Sequence, residues 1–172
     1  MPMTSFDRMP DDARLWVFAA PRPLHPAEAD ALLARVDGFL ERWAAHGAPV
    51  LGARDLRHGQ FLLVAADERA TGVSGCSIDT LFHALAEVEE ALGTELRRTA
   101  SLVLYRDAAG AVRAAERAEF RRLAQAGEVN EDTVVFDNTV ATVGDLRAGR
   151  WERPFRGSWH ARAFPLGAAS AA

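Results

Sequence analysis

None of the 20 basic residues in this 172-residue chain is a lysine, so proton transfer falls to its five histidines, its carboxylates, Tyr105 and the single cysteine, Cys76. Arginine stays charged and cannot act as a base, and without lysine there is neither Schiff-base chemistry nor the phosphate-gripping side chain of a Walker loop. Cys76 sits in Ser74-Gly75-Cys76-Ser77-Ile78-Asp79, just before an apolar helical pattern. With Ser77 as the expected N-cap, unpaired backbone N–H groups and the positive end of the helix dipole would favour a thiolate there. An imidazolium from His46 or His160 would favour it further. Asp79 places a negative charge in the same expected turn and opposes ionisation, and an isolated cysteine commonly packs as a small hydrophobe. The same N–H groups could instead hold a small anion with no catalysis.

Cys76, His46, His160 and Asp79 are residue types that zinc accepts, but no two share a ligand-pair spacing, and neither a metal nor a cofactor is assigned. No GxSxG elbow surrounds Ser74 or Ser77, and the glycines are too few for a dinucleotide loop. Asn138, in Val-Val-Phe-Asp-Asn-Thr-Val, is a second binding candidate, although an Asp-Asn pair after a strand is first of all a turn. Trp43 lies one turn before His46, and Trp159 directly precedes His160. Buried tryptophans ordinarily anchor a core, with a ligand platform the second reading.

The elements must bring these residues together. Residues 14–20 read as a buried strand closed by Pro-Arg-Pro, and apolar spacing predicts a helix from Pro26 to His46 stopped by Gly47. Residues 49–57 and 60–67 flank His58-Gly59 as a hairpin. Ile78, Leu81, Phe82, Leu85, Val88 and Leu92 mark a second helix, and residues 100–106 a fourth strand. Strand, helix, strand, strand, helix, strand is the α+β order of the ferredoxin-like split β-α-β unit, with two helices on one face of an antiparallel sheet. The expected strand order is 4-1-3-2 over residues 14–106. Residues 107–165 would form an α/β extension packed on that unit within one domain, and 166–172 a frayed end. In this arrangement His46, Cys76 and Trp43 share one sheet edge, with Ser158-Trp159-His160 as a lid, while His25 and His58 lie at the other.

Composition narrows the partners. A formal net charge of −4 and 49% hydrophobic residues describe a globular chain without a general polyanion-binding surface, so nucleic acid is not expected. No apolar run reaches a membrane span and the first residues lack a signal-peptide pattern, which points to a soluble cytoplasmic protein. Arginines at 147, 150, 153, 156 and 162 give the tail local positive charge, for solubility or for docking an acidic partner.

Five stretches, ARLWVFAAPR, FLERWAAHG, SGCSID, DTVVFDNTVAT and SWHAR, together resemble a family of small uncharacterised bacterial proteins commonly labelled ABC transporter ATPases. An ATPase of that kind requires a glycine-rich loop with a lysine, which this chain lacks, so the resemblance implies positions and no mechanism. The expected function is a binding or interaction module whose edge pocket at SGCSID accepts a small anion or a protein partner. The alternative is a thiol-dependent enzyme using Cys76 with His46 or His160.

Overall fold

A computed structural model describes residues 3–45, 47–69 and 75–167, with Gly75, Cys76, Ser77, Arg98 and Thr99 described by backbone alone. Strand β1 (Arg14–Ala19) leads to helix α1 (Pro26–Leu40), a minimal ribbon of β2 (Ala44–Ala45) and β3 (Ala48–Pro49), and the hairpin β4 (Leu51–Arg57) and β5 (Phe61–Asp67). Helix α2 (Gly75–Leu92) and a 3₁₀ turn at Arg97–Ala100 follow. The remainder comprises β6 (Leu102–Arg106), β7 (Val112–Glu116), α3 (Arg117–Gln125), β8 (Val134–Phe136), α4 (Val143–Arg147), β9 (Glu152–Pro154) and α5 (Trp159–Ala163).

Two antiparallel sheets dominate, one in the order β1-β5-β4 and the other β7-β6-β8-β9. Side-chain alternation explains how they stack. Phe18, Leu62, Val64 and Ala66 face α1 and α2, where they meet Leu32, Val36, Leu40, Leu81 and Leu85. Their neighbours Leu15, Val17, Phe61, Leu63 and Ala65 face the other way, onto Leu104 and Phe136 of the second sheet. The outer face of that second sheet, with Val103, Ala115 and Val135, is covered by Phe120, Phe155 and Phe164. The molecule is therefore a stack of helices, sheet, sheet, and a layer built from α3 and the tail. All seven residues of β5 are buried because both of its faces are covered.

Several expectations are corrected. The 1-3-2 part of the expected strand order is present as β1-β5-β4, but residues 102–106 do not join β1. They pair instead with β7, across the Asp107–Gly110 turn in which Asp107 Oδ1 accepts the N–H of Ala109 and Ala111, and with β8. A turn this short closes at little entropic cost compared with a return to β1, and the ferredoxin-like order is not formed. The first helix ends at Leu40, six residues early. Trp43 still buries its ring in the same core, and Val50 N–H donates to Trp43 O at 2.9 Å, so the apolar period runs on through a turn. Gly47, at φ 80°, sits in the β2–β3 connection and not at a helix stop. Leu166 packs on the tail core, and Gly167 N–H donates to Ala124 O at 3.0 Å, so the chain is held two residues further than expected.

Candidate functional site

Because the fourth strand belongs to the other sheet, β1 is an edge strand, and a cleft of about 710 Å³ opens along it. The consecutive residues Arg14 to Phe18 all line this cleft, which only a strand edge allows, because successive side chains point to opposite faces. Leu15 N–H donates to Ala141 O at 2.8 Å, away from β5. Alternation along the antiparallel ladder turns the N–H of Val17 the same way, into the cleft. Phe82 of α2 also lines it, edge-on to Phe18 at 5.5 Å between ring centroids, and is 37% exposed. Phe136, the segment Asn138–Ala141, Arg117, Trp159 and His160 also line it.

The turn after β8 organises the polar part of this lining. Asp137 Oδ1 accepts the N–H and hydroxyl of Thr139, at 3.1 and 2.5 Å, and the indole N–H of Trp159 at 3.1 Å. Trp151 Nε1–H donates to Asn138 Oδ1 at 2.9 Å. That bond fixes which way the Asn138 amide faces and leaves its Nδ2 donors for the cleft. Trp159 stacks on His160 at 3.9 Å. His160 itself is 1% exposed, and its Nδ1 is buried without a hydrogen-bond partner among the described residues. Burial holds the imidazole well below its ordinary value, at about 4; the Asp137 carboxylate opposes this and the Arg117 guanidinium adds to it. His160 is therefore neutral at physiological pH.

Three arginines line the cleft, and two already hold acids. Arg14 lies over the Trp16 ring and meets Glu68 at 3.4 Å, while Arg97 donates to Glu89 at 2.7 Å. Arg117 instead lies 5.4 Å from the ring centroids of both Trp159 and Phe164, with no acidic partner among the described residues. The cleft thus combines aromatic walls with one guanidinium that lacks an acidic partner among the described residues.

The structure gathers only part of the expected site. Asn138, Trp159 and His160 meet in the cleft, but Trp43 lies in the helical core, 6.0 Å from the lining residue Trp16. The helix containing Cys76 begins at Gly75, so Ser77 is inside its first turn and not its cap; Asp79 falls in the second turn and is exposed. Gly75, Cys76 and Ser77 are placed by backbone alone, while Ser74 and His46 lie outside the described residues, and with them the proposed pairing of His46 and Cys76. No group of three His, Cys, Asp or Glu among the described residues could hold a metal ion. Sequence reasoning assigned no role to Arg14, although it lies in the quoted stretch ARLWVFAAPR, or to Arg117, which lies in none; both acquire meaning only through the stacking of the sheets. No helix is long and apolar enough to cross a membrane among the described residues. The chain matches no protein-family model, no curated protein and no solved structure.

Proposed function

We propose that this protein is a binding module for a small organic anion, held in the cleft along the open edge of β1. One observation carries the reading: a cavity of about 710 Å³, walled by Trp16, Phe82, Phe136 and Trp159, contains a guanidinium that no acid among the described residues neutralises. A pocket of that size with mostly apolar walls and a few converging polar groups is the usual form of a small-molecule site. The position differs from the one expected from sequence, since the polar groups come from the turn after β8, from the start of α3 and from the tail. The thiol-dependent alternative loses support in its His160 form, because a neutral His160 supplies no imidazolium to stabilise a thiolate at Cys76; its His46 form lies outside the described residues.

The dye 1-anilinonaphthalene-8-sulfonate, an anion with an aromatic body, tests the reading directly. Native protein should bind one equivalent saturably, with enhanced emission, and Phe82→Asp should weaken it at least about tenfold by removing a wall and adding a repelling charge. Unchanged emission, or binding indifferent to Phe82→Asp, would overturn it.

A further inference from the structure

The cleft's polar groups define the ligand more narrowly, and this step rests on the anion-binding reading just proposed. We infer that the site selects an aromatic monocarboxylate, with its ring between Trp16 and Phe82 and its carboxylate received by Arg117, the Nδ2 of Asn138 and the N–H of Val17. Charge sets the number of anionic groups. Arg14 and Arg97 are matched by Glu68 and Glu89, so among the described residues of the cleft Arg117 alone is left to neutralise a ligand, and a dianion such as inorganic phosphate would enter undercompensated. Asp137 does not line the cleft, and its Oδ1 is occupied by Thr139 and Trp159.

Geometry sets the head group. Asn138 presents donors because Trp151 holds its oxygen, and an amide so oriented favours an acceptor over a second donor. The Val17 N–H points away from β5, and no bond outside the sheets uses it among the described residues. A carboxylate offers about four lone-pair positions to these converging donors. The aromatic walls set the body: Trp16 and Phe82 offer ring faces and edges, against which an arene packs in offset or edge-on contact. Trp151 is in this account a positioning residue, acting on the ligand only through Asn138.

Calorimetric titration with 2-naphthoate, 2-naphthalenemethanol and inorganic phosphate tests the inference. Naphthoate should bind about tenfold or more tightly than the isosteric alcohol, because a charge-assisted contact is lost in the latter, and phosphate should not compete. Arg117→Gln, at an exposed position, should weaken naphthoate by about tenfold to a hundredfold and leave the alcohol within about twofold. Asn138→Asp keeps an oxygen for the Trp151 indole but replaces the amide donors by a negative charge, and should act on naphthoate alone in the same way. Trp151→Phe should weaken naphthoate by a few-fold and spare the alcohol, a split that general loosening of the core would not produce. Equal affinity for acid and alcohol in the native protein, or tighter binding of phosphate than of naphthoate, overturns the monocarboxylate assignment while leaving a binding cleft. If the anionic dye binds but naphthoate does not, the ligand class fails alone; if neither binds, both readings fail.

Discussion

Replacing His160 by Phe isolates the one imidazole buried in the cleft wall. In the folded protein this ring titrates at about 4, against about 6.5 for an unfolded histidine. Between those values the unfolded chain carries a proton that the folded chain lacks. Stability is therefore unaffected by this group above about pH 6.5 and falls as the pH drops from there towards 4. At about 1.36 kcal/mol per pH unit, the loss reaches about 2 kcal/mol by about pH 5 and about 3 kcal/mol by about pH 4. The phenyl ring of the His160→Phe variant would meet the same apolar neighbours, Phe120, Phe164 and Trp159, and cannot titrate. Urea unfolding followed by circular dichroism, at about pH 7.5 and about pH 5, should show the stability of wild type relative to the variant declining by about 2 kcal/mol. Other titrating groups are common to both proteins and cancel in the difference. A constant difference at the two pH values would refute the burial of a neutral imidazole, whatever the absolute stabilities.

Glu152 accepts from Arg106 Nε at 2.6 Å and lies 3.1 Å from His58 Nε2, tying the β4–β5 turn to the second sheet; burial pushes its carboxyl pKa up, but the Arg106 hydrogen bond and charge and the His58 hydrogen bond hold it below the ordinary carboxylate value. With these side chains about one-third exposed, Glu152→Gln should cost about 0.5–1 kcal/mol, measured by urea unfolding, and the cost should shrink in high salt and as acid protonates the wild-type carboxylate. A Cβ at Gly52 would stand 2.9 Å from Leu40 Cδ2, so Gly52→Ala should lower stability by about 1–3 kcal/mol in the same assay unless α1 shifts. Iodoacetamide modification of Cys76 near neutral pH should proceed at the same rate in wild type and His160→Phe, since a neutral imidazole gives a thiolate no counter-charge; a slowed variant would revive the Cys76–His160 pair.

Local chemistry made much of the first half legible. The strand at residues 14–19, the hairpin through His58 and Gly59, and the start of α1 at Pro26 follow from apolar runs and turn residues that act over a few positions. The hairpin loop is one residue longer than expected, His58 to Gln60, with Arg57 opposite Phe61, and within it Gly59 takes the left-handed conformation at φ 61°. The partner of residues 102–106 was not legible, because an apolar strand suits either sheet and only competition between edges decides it. A signal for the second sheet was nonetheless present. Phe61 to Ala66 is an unbroken apolar run, whereas a sheet with one open face would alternate. Asn138, Trp159 and His160 were recognisable by residue type, but their meeting depends on a sheet edge left open by a long-range choice. Arg117 gave no signal at all, since its lack of an acidic partner among the described residues is a property of the folded surface.

The central claim is that a ligand enters the cleft along β1, and the four indole N–H resonances of Trp16, Trp43, Trp151 and Trp159 report on it separately. Trp16 and Trp159 line the cleft, Trp151 reaches it only through Asn138, and Trp43 is buried in the helical core. In a nitrogen-15 spectrum assigned by single Trp→Phe variants, saturating 2-naphthoate should move the Trp16 and Trp159 signals most, through the ring current of the bound arene, with Trp151 responding less and Trp43 least. Saturable shifts confined to Trp43, or no shift at Trp16 and Trp159 under conditions where calorimetry shows binding, would place the ligand elsewhere and contradict the account.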